Sequence, residues 1–484
     1  MSTTTRERAT PRPTYLGHID AVLEQADEHP LLLFDDAWTT GAELRGALAA
    51  TARALGEASE PGDRVIIRAT NDPTTIVAIL AALLSGRCAT PISPRLFDRT
   101  GADLLRHGRV VASGHPEALP GGTSIPTWNG PLTVLAGDAP LVPHPELAAT
   151  LMTSGTSGDP KPVPILHATF ARGIRALRSS DGPPQRRDDV NVICFPLYHL
   201  SGLFPMLLTL ATGRRVALLE KFDALRVAEL VAQYDISSLG LTPTTIRMLL
   251  DADVPRAQLA ALRYVRSGTA PLPVRLAQQF QERYGVPVIQ SYGQTEAGGE
   301  VIGWSPADMR DHLSAKTGAA GRPRPGIEAV VVGDGAGPDD GGLPPGEPGE
   351  LWLRGVQGSD GWLATGDLAR IDADGFVWIE GRVDDLILCG GFKIAPALLV
   401  ETLESHPAVA RAAVTGVPDE RLGEIPVAIV QLDEDVADVE FETWCRDRLE
   451  PYECPRRFIR VDEMPLTDTG KVHRPSVLAI ATSA

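Results

Sequence analysis

The chain has 484 residues, of which 43% are apolar and 22% charged, with a formal net charge of -17. That length allows two or three domains around a large core. The acidic balance, relieved only by basic pairs such as Arg186-Arg187, Arg214-Arg215 and Arg456-Arg457, argues against a nucleic-acid partner.

Residues 1–13, MSTTTRERATPRP, are polar and read as a disordered tail without the apolar stretch of a signal peptide. GDRVIIRAT (62–70) reads as a strand, TTIVAILAALLSG (74–86) as an amphipathic helix, and CATPISP (88–94) as a strand leading into a proline turn. Strand, helix, strand at this spacing points to a parallel α/β sheet. TTIVAILAALL is the nearest approach to a membrane span and falls short of the ~18 to 20 residues required, so a cytoplasmic location is expected. Residues 100–150 carry little pattern, as a trimmed subdomain would. LAATLM (147–152) reads as a strand and VPILHATFARGIRAL (163–177) as a helix. The α/β alternation returns at VNVICFPL (190–197), at RRVALLE and LRVAELVAQY (214–234), at ISSLGLTP (236–243) and at LRYVRSG (262–268).

From about residue 325 short strands alternate with Gly/Pro turns, as in a small β-subdomain, and residues 372–394 form two hairpin-like pieces. Helices at 396–406 and 441–449 then flank two strands within 409–432, a compact α+β arrangement. The cysteines at 88, 194, 389, 445 and 454 are odd in number and never spaced C-x-x-C. They suggest neither a disulfide framework nor zinc, and are expected to be reduced.

TSGTSGDPKP (153–162) has little to bury and much to donate: backbone N–H groups, hydroxyls and one ammonium suited to a phosphate chain. Its packed flanks argue against a flexible linker, and its spacing is not G-x-x-x-x-G-K-[ST]. On spacing alone a phosphate site and a structural turn both remain open.

Four further stretches follow in order: SYGQTEAGG (291–299), ATGDLARIDADGFVWIEGR (364–382), DDLILCGGFKIAP (384–396) and PLTDTGKVHR (465–474). Together with the loop they resemble the signature blocks of the adenylate-forming superfamily, which includes acyl- and aryl-CoA synthetases, adenylation domains and beetle luciferases. The resemblance runs from GDRV at 62 to GKVHR at 474. It implies an α/β fold with a large N-terminal domain (14–383) of two stacked α/β subdomains and a distorted β-barrel, then a small mobile α+β domain (384–484). The implied reaction joins a carboxylate to the α-phosphorus of ATP, releases pyrophosphate, and then transfers the acyl group to a thiol.

By the same resemblance, Thr153, Ser154, Gly155, Thr156, Ser157, Gly158 and Lys161 handle the β- and γ-phosphates, and Glu296 holds Mg²⁺. Asp367 takes the ribose hydroxyls and Arg382 lies near the ribose and phosphate. Tyr292 lies against the adenine within a segment that includes Gly293 and Thr295, while Gly268, Thr269 and Ala270 flank the adenine and acyl pocket. Lys471 is the C-terminal catalytic lysine, Asp384 the hinge, and Gly390 and Gly391 line the thiol tunnel beside Lys393, which takes no assigned role. His199 in FPLYHLSGL and Gly298 belong to the acid pocket. Taken singly, each has a blander fit: Glu296 as an exposed acid, Asp367 and Arg382 as a turn ion pair, Lys471 as a solvated lysine, His199 as a packed core histidine.

FPLYHLSGLFPMLL offers no Asp for a substrate ammonium, so the acid is expected not to be an α-amino acid. The acceptor stays open among CoA, the phosphopantetheine of a carrier protein and an amine, and the chain is expected to be a monomer or homodimer. Pro162 stands where the family carries Gly after the loop lysine, and proline removes a donor and fixes φ. With the pattern-poor segment after residue 100, this keeps a catalytically silent nucleotide-binding scaffold in view. Retention of Thr153, Lys161, Glu296, Asp367, Arg382 and Lys471 argues against it.

Overall fold

The computed structural model describes residues 13–107, 110–114, 119, 122–127, 130–136, 144–154, 160–176, 184–357, 361–467 and 470–483. The expected tail, apart from Pro13, lies outside them. By contacts the chain divides into two units: one runs to Leu239 and includes Gln294–Gly299, and the other comprises Gly240–Gly293 and Glu300 onward. This grouping follows contact density, whereas the expected boundary at Asp384 is one of motion.

In the first unit, Arg64–Arg68 pairs in parallel with Cys88–Ile92 on one side and Val110–Ser113 on the other. They are the centre of a seven-stranded sheet in the order 123–127, 130–136, 110–113, 64–68, 88–92, 147–154, 160–166. Residues 100–150, without legible pattern, thus supply three of its strands. A second sheet runs 190–193, 215–218, 30–34, 37–40. One apolar core takes Leu31, Leu32 and Val216 from this sheet, Val65 and Ile67 from the larger one, and the helix Pro73–Leu84.

That helix corrects an expectation. Asp72 caps it by accepting from Thr75 N at 2.9 Å, Pro73 occupies the first turn, and every residue from Pro73 to Leu83 is buried. It is not amphipathic because PTTIVAILAALL holds no charged residue and has no face to give to water. Pro94, expected in a turn, instead opens the helix Pro94–His107, where its fixed φ is an advantage and Ser93 Oγ accepts from Leu96 N at 3.2 Å.

The helix expected over 163–177 is also revised: Pro160–Leu166 is a strand and the helix is His167–Ala176. Prolines at 160, 162 and 164 forbid a helix there, since each lacks the N–H and crowds the preceding turn.

In the second unit, Tyr264–Ser267 and Val288–Gln290 pair in parallel. The expected β-subdomain is an antiparallel meander of Glu328–Val332, Gly349–Arg354, Trp362–Ile371 and Val377–Arg382. In the C-terminal portion, Gly423–Leu432 pairs antiparallel with Val409–Asp419 and parallel with Arg457–Arg460, and the hairpin Ile387–Cys389/Phe392–Ile394 joins the same sheet. Helices Pro396–Glu404, Asp438–Arg446 and Arg474–Ser483 cover it, burying Leu399, Phe441 and Val477. All five cysteines are free and four are buried. Among the described residues no helix is long and apolar enough to cross a membrane.

Candidate functional site

In the first unit, strands Leu147–Ser154 and Pro160–Leu166 lie antiparallel, setting Thr153 opposite Lys161 and Met152 opposite Pro162. Gly155, Thr156, Ser157 and Gly158, with the side chain of Ser154, lie outside the described residues. Thr153 Oγ1 stands 3.5 Å from Glu296 Oε1 and 3.5 Å from the Lys161 carbonyl oxygen. Glu296, 143 residues along the chain from Thr153, is thereby brought beside the hairpin that carries Thr153 and the exposed Lys161.

The register also explains Pro162. Pro160–Leu166 is an edge strand, and in a strand the N–H groups of residues 160, 162 and 164 all point the same way. With proline at all three, that side is the outer one, where no ladder bond exists to be lost. The same prolines leave the edge unable to recruit another strand.

Glu296 lies within a turn in which Gly298 N donates to Thr295 O at 3.0 Å, with Gly298 at φ +84°. One carboxylate beside one hydroxyl is too small a set to cage a metal alone. It fits a Mg²⁺ whose remaining ligands are phosphate oxygens and water. Among the described residues no group of three His, Cys, Asp or Glu could hold a metal ion.

His199 caps the helix Leu200–Ala211 through its backbone, its carbonyl accepting from Leu203 N at 2.9 Å, while its ring lies 4.6 Å from that of Tyr198. It is half-buried, not a core histidine. Burial pushes the neighbouring Cys194 thiol up to about 12, which removes it as a nucleophile.

The segment leading to His199 is held by Asn71, which sequence reasoning missed. Its Nδ2 donates to Phe195 O at 3.0 Å and Leu219 O at 3.2 Å, and its Oδ1 accepts from Leu197 N at 2.9 Å. The available signal was a lone Asn between a predicted strand and a predicted helix, which is ambiguous with a turn residue.

In the second unit, Asp367 and Arg382 are directly opposite on adjacent antiparallel strands, and Arg382 Nη1 donates to Asp367 Oδ1 at 3.3 Å. They do form the ion pair that the blander reading describes, across a ladder and not within a turn. Tyr292 Oη donates to Asp367 Oδ2, and Asp367 N donates to Thr365 Oγ1 at 3.1 Å. Tyr292, expected against an adenine, therefore also orients the carboxylate expected to take the ribose. Gly366 has φ +67°, and a Cβ there would come within 2.8 Å of Arg382 Nη2, so the Gly of ATGD makes room for the guanidinium. Arg382 Nε is buried without a partner among the described residues.

Gly268, Thr269 and Ala270 follow the strand Tyr264–Ser267, and Gly268 N donates to Leu241 O at 3.3 Å. Thr269 has φ +70°, an uncommon conformation for a β-branched residue and one that concentrates at functional sites. Gly293 is exposed beside Tyr292.

Asp384 is exposed in the short turn Val383–Asp385. Its neighbour Asp385 pairs with Arg474, yet burial raises its carboxyl above the usual range. Gly390 and Gly391, at φ +60° and +90°, are the two-residue loop of a hairpin. A tight turn of that kind demands φ > 0 at both positions, a reason for glycine independent of any close approach. Lys393 pairs with Asp334. Lys471 is exposed on a loop closed by Thr467, whose backbone N–H donates to Lys471 O at 2.7 Å.

Comparison with known proteins shows the family. Residues 19–363 match the model of the AMP-binding enzyme family, and residues 401–471 that of the AMP-binding enzyme C-terminal domain. A feruloyl-CoA synthase from Amycolatopsis sp is 31% identical over 474 residues, covering 90% of this chain and 93% of the relative. The structure of o-succinylbenzoate CoA synthetase from Bacillus subtilis with its acyl-adenylate intermediate aligns with a TM-score of 0.78 at 26% identity, over 96% of this chain and 98% of that one. An amide bond synthetase from Marinactinospora thermotolerans aligns with a TM-score of 0.77 at 27% identity, over 96% and 99%. With both family models matched in order across most of its length, the chain belongs to the AMP-binding enzymes, the adenylate-forming superfamily of large N-terminal and small C-terminal domains.

Proposed function

We propose that this chain is an ATP-dependent, AMP-forming ligase that activates an aryl carboxylate and passes the acyl group to the thiol of CoA. The observation that carries the reading is the approach of Glu296 to Thr153, on the hairpin where Thr153 faces Lys161. Similarity to ligases of aryl acids supports the substrate class.

In the first step a carboxylate oxygen forms a bond to the α-phosphorus as the bond to the bridging oxygen breaks, and pyrophosphate leaves. Thr153, Ser154, Gly155, Thr156, Ser157, Gly158 and Lys161 offset the charge gathering on that leaving group. Glu296 would hold a Mg²⁺, which would supply charge neutralisation to the phosphates. Asp367 accepts from the ribose hydroxyls, oriented by Tyr292 and Arg382, while Gly268, Thr269 and Ala270 border the adenine and the acid. Lys471 stabilises the α-phosphate and the carboxylate as charge moves between them. His199 and Gly298 border the acid. In the second step the thiol, giving up its proton, forms a bond to the acyl carbon and AMP leaves. The residues from 384 onward rotate about Asp384 between steps, presenting Gly390 and Gly391 to the thiol. A cytoplasmic location is in keeping with the use of ATP and CoA.

Pyrophosphate release across a panel of aryl, short-, medium- and long-chain acids, each with and without CoA, tests this reading. Release that needs an aryl acid and rises with CoA is expected. Acid-dependent release indifferent to CoA points to a carrier protein or an amine, the latter in keeping with the likeness to an amide bond synthetase. No acid-dependent release from any member overturns the ligase and leaves the silent scaffold. The edge position of Pro162 means that the N–H it lacks is not missed by a ladder partner.

A further inference from the structure

The loop carrying Lys471 is fixed at one particular peptide unit. Gly470 O and Lys471 N–H belong to the same planar group. Its oxygen accepts from Thr244 Oγ1 at 2.8 Å, and its N–H donates to Thr467 Oγ1 at 3.1 Å. A plane held at both polar atoms fixes the direction in which Lys471 leaves the backbone. For a long, flexible side chain that direction decides where the ammonium can reach.

Thr244 is well placed for this. It lies in the first turn of the helix Pro243–Asp251, where Thr242 accepts from Thr245 N at 3.1 Å and Thr245 Oγ1 returns to Thr242 at 3.0 Å. The capping work is done by Thr242 and Thr245, so the Thr244 hydroxyl is spent on the loop. The approach is close: Gly470 has φ +76°, and a Cβ there would stand 2.8 Å from Thr244 Oγ1 and 2.9 Å from Thr244 Cβ. The next helix, Val274–Tyr284, makes a second tie to the C-terminal portion, Arg275 Nη1 donating to Glu404 O at 3.0 Å and His406 O at 3.1 Å.

We propose that Thr244 is a positioning residue for adenylation: its hydroxyl clasps the Gly470–Lys471 peptide and aims Lys471 at the reacting groups. The inference rests on the ligase reading and on Lys471 as its cation. A single neutral hydrogen bond is also weak enough to be made and broken in each turnover, as a loop used in only one of two steps requires.

The test compares Thr244→Val and Thr244→Ser with the wild-type chain in two assays: acid-dependent exchange of labelled pyrophosphate into ATP, and transfer to CoA from chemically prepared acyl adenylate. Thermal denaturation of each variant accompanies them. Thr244→Val is expected to lower kcat of exchange about 5- to 10-fold, the size of one hydrogen bond, with KM for ATP unchanged. Transfer is expected to be unaffected, and Thr244→Ser to restore exchange. Equal loss in both assays with a lowered Tm, or no loss in exchange, overturns the inference while the ligase stands. A wild-type chain without acid-dependent exchange overturns the ligase reading and the inference with it.

Discussion

Asn71 joins three backbone groups on two different loops, and it is 7% exposed. A buried amide that satisfies two carbonyls and one N–H cannot be replaced by an apolar side chain without stranding them. Asn71→Leu is therefore expected to destabilise the chain by about 3 kcal/mol in denaturant melts. Asn71→Asp, which turns a carboxylate oxygen toward the two carbonyls at a buried position, should cost at least as much at neutral pH. Equal stability of Asn71→Leu and wild type would show that the Phe195–Leu197 segment does not depend on it. A lone residue here sets the path of the chain into His199, through contacts that no local pattern announces.

Two elements carry predictions of their own. On the proline edge, Pro162→Gly supplies an N–H that no ladder partner awaits. Stability is expected to fall by under about 1 kcal/mol, chiefly through the unfolded chain. Acid-dependent exchange is expected to stay within about twofold, since the residue opposite Met152 contributes no bond across that edge. A tenfold gain in exchange would show that proline at this position does restrain the loop. The second concerns the helices Thr14–Gln25 and His167–Ala176, joined where Tyr15 Oη and His167 Nδ1 stand 2.9 Å apart. Burial lowers His167 to about 4. A histidine harder to protonate when folded adds stability that is fully present above its ordinary value near 6.5 and is lost as pH falls toward 4. Its share is about 3 kcal/mol across that window. Stability measured from pH 7 to 4 should fall less steeply in His167→Phe than in wild type, and parallel curves would refute the assignment.

At the scale of the whole molecule, the residues assigned to adenylation and those assigned to thiol transfer are separate sets. On the proposed reading, Lys471→Ala removes a cation from the first transition state only. A loss on the order of 10² or more in acid-dependent pyrophosphate exchange is expected, with transfer from preformed acyl adenylate retained. Equal loss in both half-reactions would rule out separate use of the C-terminal residues in the two steps.

The sequence by itself determined the class of fold and most strand and helix types, and it named candidate residues for the chemistry, because periodicity, turn glycines and five ordered blocks are local properties of the chain. It misjudged Pro73–Leu84, whose lack of any charged residue leaves no face for water, and the start of His167–Ala176, where prolines at 160, 162 and 164 exclude a helix; both signals lay in the sequence beside a stronger apolar pattern. Only the tertiary structure decided that Tyr292 shares Asp367 with Arg382, that Thr153 meets Glu296, and that Asn71 and Thr244 hold the approaches to His199 and Lys471. The physical reason is common to all four. Each is a hydrogen bond or ion pair between segments distant along the chain, and such contacts exist only once the sheets and helices between them have packed.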